Sequence, residues 1–126
     1  MTASSAHYPQ PAPIDAYGNG GFRFAGLSHK GSIMCLPSGI HAWDVSRIDD
    51  LDAAQLARAL AGPGERIGLL LLGTGPELTP PSAEVREACK AAGVALEIMQ
   101  TGAACRTYNI LLAEGRSVGA ALIAVE

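Results

Sequence analysis

Apolar residues along this chain fall into short blocks whose spacing shifts between two and three or four, and that alternation orders the elements. Phe22 and Phe24 flank Arg23, which predicts a strand over 22–27. A second strand, Ser32–Leu36, follows a His29-Lys30-Gly31 turn. Pro37-Ser38-Gly39 breaks the pattern, and Ile40–Val45 reads as a third short strand. Asp52 is placed to N-cap a helix with Gln55 reaching back, Leu51 and Leu56 form a staple, and Gly62-Pro63 stops it. Ile67–Leu72 has no polar interruption, as in a parallel strand covered on both faces. After the Gly73-Thr-Gly-Pro-Glu77 turn, the pattern predicts a helix over Pro80–Ala92 with Thr79 as its cap. Val94, Leu96 and Ile98 alternate as a strand, Thr101–Glu114 reads as a helix ended by Gly115, and Val118–Val125 as a last strand. The resulting β-α-β-α-β order implies an α/β fold with right-handed crossovers and a largely parallel central sheet. The N-terminal strands are expected to form a hairpin against it or extending it.

Composition narrows this picture. The 126 residues, 48% apolar and 17% charged, suit a single domain over 14–126. Residues 1–13, rich in Ser, Ala and Pro, read as a loose tail. Net charge is −3 with the Arg and Lys residues scattered, which argues against a nucleic-acid footprint. No apolar run approaches the roughly 20 residues of a membrane span. Three cysteines without a CxxC pattern argue for a reducing compartment. Met1–Asp15 has neither Arg nor Lys and no apolar core, so neither a secretory signal nor a transit peptide is expected there. The expected location is the cytoplasm.

In an open α/β sheet, ligands sit outside the carboxyl ends of the strands. Two turns belong there, Gly73–Pro76 and Gln100–Gly102. Helical spacing puts Gly102, Cys105, Arg106 and Asn109 on one face. The candidate ligand site is therefore Gly73, Thr74, Gly75, Thr101, Arg106 and Asn109, with a small anion favoured by the helix start and the guanidinium. Arg106 has an alternative role as a structural ion-pair partner of Asp44 or Glu77. Gly73-Thr-Gly75 lacks the third glycine of a dinucleotide fingerprint and the lysine of a P-loop, so no nucleotide cofactor is expected. Cys105 beside Arg106 in a first helical turn is either a lowered-pKa thiol or a small buried residue. Cys35 and Cys89 read as core. His41 and Asp44 resemble two members of a triad but no serine sits in a nucleophile elbow, and the three histidines share no metal spacing. Catalytic and metal residues are therefore expected to be absent. Trp43 reads as a packing anchor or, if exposed, with Phe22 as an interface.

The motifs Tyr17-Gly18, Gly21-Phe22, Trp43, Leu71-Leu72-Gly73-Thr74-Gly75, Met99-Gln100-Thr101, Ala104 with Arg106-Thr107-Tyr108-Asn109, and Glu114-Gly115-Arg116 together resemble the domain-of-unknown-function 498 family. Its members include the mitochondrial NADH:ubiquinone oxidoreductase (complex I) assembly factor 3 and an adipogenesis-associated protein. The resemblance runs from about Ile14 to the end. It implies a three-layer α/β fold with a central mixed sheet and an added antiparallel β part. It also implies a protein-binding, assembly-type role with respiratory-complex subunits or assembly factors as partners, no established enzymatic activity, and a mitochondrial matrix location for the eukaryotic relatives. The competing reading is a small anionic-ligand-binding protein or minor enzyme.

Overall fold

The computed structural model describes residues 8–61 and 65–126. Its eight strands divide between two sheets. β1 (Ile14–Gly18), β2 (Gly21–Phe24) and β3 (Leu27–Lys30) form an antiparallel sheet in chain order. β4 (Ser32–Leu36), β5 (Gly39–Trp43), β6 (Leu69–Gly73), β7 (Ala95–Met99) and β8 (Val118–Leu122) form the other, in the order β5-β4-β8-β6-β7. Three α-helices connect them: α1 (Ala57–Ala61), entered through tight 3-10 turns at Ile48–Asp50 and Ala53–Leu56, α2 (Ala83–Ala91) and α3 (Thr101–Ala113).

The fold is mixed α/β, as expected, but the larger sheet is not mostly parallel. β6 pairs in parallel with β7 and β8, whereas β4 pairs antiparallel with β5 and β8. The Pro37-Ser38 connection is too short for anything but an antiparallel β4–β5 pair. Every residue of β4 is buried, which places it inside the sheet rather than at its margin.

Other boundaries move for local reasons. The expected His29-Lys30-Gly31 turn is largely strand β3. The chain instead reverses at Ala25-Gly26, both at positive φ (51° and 77°). An alanine in that region is uncommon and carries no turn signal. Asp52 and Gln55 form the expected capping box, and the helix they start is 3-10 in its first turn. The Gly62-Pro63 stop lies outside the described residues. Thr79 does not cap α2. Pro81 disfavours helical backbone at Pro80, so the helix starts after the second proline, with Ser82 accepting from the Val85 amide. Ahead of β1, Tyr8 bridges Ile40 and Ala12 is buried. Residues 1–7 lie outside the described set.

Alternation along β6 shows where the core sits. Leu70 and Leu72 join Met34, Trp43, Leu56 and Val85 in one apolar cluster. Leu71 joins Phe22, Phe24, Cys35, Cys105 and Tyr108 in a second. Each face of the larger sheet thus buries its own set, one with α1 and α2, the other with α3 and the small sheet. Among the described residues, no helix is long and apolar enough to cross a membrane.

Candidate functional site

Because β6 and β7 run parallel, the turns that follow them leave the same sheet edge, and they do converge. Their polar groups are spent largely on each other. The Thr101 amide donates to the Gly75 carbonyl (2.9 Å). The Gly75 amide donates back to Thr101 Oγ1 (2.9 Å), and that hydroxyl donates to the Ile123 carbonyl (2.7 Å). Thr74 gives its amide to the Met99 carbonyl and its hydroxyl to the Glu77 carbonyl, and accepts the Thr79 amide. Thr101 is fully buried. A Cβ on Gly73 would lie 3.0 Å from Thr101 Oγ1, so glycine is what allows the two turns to close together. The hollow outside this knot, about 330 Å³, is bounded by Ser46–Asp49, Thr74–Glu77 and Ile123, and touches neither Thr101 nor Arg106.

Arg106 and Asn109 belong to a different place. With Gly102 and Cys105, as helical spacing predicts, they line a hollow of about 380 Å³ between α3 and β1, closed by Ile14, Asp15, Ala16 and Tyr17. Asn109 grips the strand with both ends of its amide. Its Oδ1 accepts from the Ile14 amide (2.8 Å) and its Nδ2 donates to the Ile14 carbonyl (2.9 Å). Arg106 is exposed and, among the described residues, has no hydrogen bond or ion pair, so the expected pairs with Asp44 or Glu77 do not form. The Tyr17 hydroxyl lies so close over Gly102 that a Cβ there would collide with it, yet Tyr17 remains 46% exposed.

The lowered-pKa reading of Cys105 is corrected. Burial pushes its thiol up to about 12, and the neighbouring Arg106 only partly opposes that. Cys35 and Cys89 are also shifted up by burial. Phe22 and Trp43 do not make an exposed patch. They are 2% and 8% exposed, because the Phe22 side of β2 covers the second cluster and the Trp43 indole donates to the Gln55 carbonyl (2.8 Å).

One polar cluster was not read from the sequence. Glu65, its side chain 2% exposed, accepts both the amide (3.1 Å) and the hydroxyl of Ser38, with Arg58 4.0 Å away. His41 Nε2 lies 2.8 Å from the same hydroxyl. The serine hydroxyl donates to the Glu65 carboxylate, whereas a nucleophile–base pair needs it to donate to the imidazole. The cluster clamps the β4–β5 turn to the segment entering β6. Nothing in local spacing links positions 38 and 41 to 65. No group of three or more metal-ligating side chains occurs among the described residues.

Comparison with known proteins adds kinship to this geometry. The model of a protein family of unknown function, DUF498/DUF598, matches residues 14–123. An uncharacterized protein of Rhodobacter capsulatus is 42% identical over 88% of this chain and 83% of its own. The Mus musculus protein named NADH dehydrogenase [ubiquinone] 1 alpha subcomplex assembly factor 3 is 33% identical over 94% of this chain, which spans only 63% of the mouse protein. A crystal structure described as an outer membrane protein from Bartonella henselae is 48% identical, with a TM-score of 0.89 over 95% of this chain and all of that one.

Proposed function

Since the chain belongs to the DUF498/DUF598 family, we propose that it is a non-catalytic, protein-binding factor of the assembly type, working in the cytoplasm of a prokaryotic cell. Its partners on this reading are respiratory-complex subunits or their assembly factors, the chemistry that the name of the mouse relative suggests. The docking surface is the α3–β1 face. The observation that carries this is the unengaged Arg106 on the hollow that the half-exposed Tyr17 also lines. Arginine and tyrosine dominate interface hot spots, because each offers a large flat surface with a polar end. The two buried clusters also support reading the architecture as three layers, with α3 and the small sheet together as the layer that carries this surface.

The test is co-purification from the host with respiratory-complex subunits as the readout. Tyr17→Ala and Arg106→Ala should each lower recovery by about tenfold, the scale of a hot-spot truncation. Wild-type protein that recovers no such subunit sinks the reading.

A second reading, a small-anion site, draws on the same unpaired guanidinium in its hollow of about 380 Å³. Asp15 on the opposite wall opposes it, and the Gly75 amide proposed to help is already bonded to Thr101. A thermal-shift screen of anionic metabolites decides the matter. Shifts that survive Arg106→Ala eliminate this site.

A further inference from the structure

β7 is an end strand of the larger sheet, and its outer edge has no partner among the described residues. The Ala95 amide donates to the Gly68 carbonyl and the Met99 carbonyl accepts the Thr74 amide. By strand alternation the backbone groups of residues 95, 97 and 99 therefore face β6, while those of Leu96 and Ile98 point outward. Two of the other margins are managed. β5 is bridged by Tyr8, and β3 is a four-residue strand ending in Lys30. No proline, no lysine and no bulge interrupts Ala-Leu-Glu-Ile-Met in β7. Its one charge is Glu97, exposed and without an ion pair or hydrogen bond among the described residues.

Glu97 decides what can add there. The antiparallel self-pairing with fullest overlap sets Leu96 against Ile98 of a second copy and Glu97 directly against Glu97. Like charges opposite one another disfavour such a pair. Slipping the register by two leaves the carboxylates as diagonal neighbours and shortens the ladder. A strand with a lysine or arginine at that position meets the opposite condition. It places a cation on Glu97 and apolar side chains beside the half-buried Leu96 and Ile98. We infer that the free edge of β7 takes up an extended strand of a partner protein, patterned apolar–basic–apolar, by β-augmentation. This rests on the protein-binding reading above but uses a surface separate from Tyr17 and Arg106.

The probe is a synthetic strand-forming peptide with one lysine between two valines, and its counterpart with glutamate in that place. Both are titrated into isotope-labelled full-length protein and followed by amide resonances. The lysine peptide should shift and protect the Leu96 and Ile98 amides, and bind at least about fivefold more tightly than the glutamate peptide. Glu97→Lys should invert that preference. Ile98→Pro should abolish binding while leaving resonances of distant elements unchanged, since the amide it removes bonds nothing among the described residues. Equal binding of the two peptides, shifts centred on another element, or self-association through these amides without peptide would each overturn the inference. If the peptides fail at β7 while Tyr17→Ala and Arg106→Ala still lower partner recovery, this inference alone falls. If the peptides bind but no respiratory subunit is recovered, the earlier reading falls instead.

Discussion

Asn109 acts toward β1 as a neighbouring strand would, accepting from and donating to the same residue, Ile14. Ile14 is 5% exposed, so water cannot replace either bond easily. Asn109→Ala should therefore destabilise by about 2–4 kcal/mol, two modest hydrogen bonds plus the penalty for stranding a buried N–H and C=O. The loss should appear as a lowered urea midpoint with an unchanged slope. A shift equivalent to less than about 0.5 kcal/mol would show that the bonds are not formed in solution. Helical periodicity did reveal that Gly102, Cys105, Arg106 and Asn109 share a face. What that face touches was not legible, because Ile14 lies 95 positions away. The same limit hid Glu65 from Ser38. Thr101 and Gly75 were rightly brought together, yet spacing alone does not reveal that their polar atoms satisfy one another.

At the scale of elements, α3 and the start of β8 were readable because three local signals agree. The apolar period is helical, Gly115 adopts a positive φ at the end, and small residues fill a fully buried strand. β3 was missed because its turn uses an alanine at positive φ. The balance of parallel and antiparallel pairs in the larger sheet was not legible, because sheet order is a tertiary outcome that period-two alternation does not encode. The α3–β1 contact yields a prediction of its own. Gly102→Ala adds a methyl where the Tyr17 hydroxyl lies. That hydroxyl is the far end of a half-exposed side chain, so it can swing away. Alanine also favours helix over glycine by about 1 kcal/mol. Stability should consequently change by less than about 1 kcal/mol in either direction, while recovery of partner subunits falls because Tyr17 has left its position. A large loss of stability with partner recovery intact would contradict this view of the contact.

For the whole molecule, the small sheet and α3 close over Cys35, Cys105 and Tyr108, which are buried together, and all three are shifted upward mainly by burial. This fixes how stability responds to alkali. An unfolded cysteine titrates near 9.0, whereas the folded Cys105 thiol titrates near 12. Below the first value both states hold the proton and the linkage contributes nothing further. Between the two, the native state binds more protons than the unfolded chain, so stability must fall as pH rises. The limiting slope is about 1.4 kcal/mol per pH unit for each fully linked thiol. Urea midpoints measured from about pH 7 to about pH 10.5 should be level at first and then decline, and the decline should be shallower in Cys105→Ala than in the parent. Because desolvation is the leading cause and Arg106 acts only against it, Arg106→Ala should not flatten the decline. A midpoint that stays level through the alkaline range would mean that water reaches these thiols, and that α3 does not seal the layer beneath the proposed docking face.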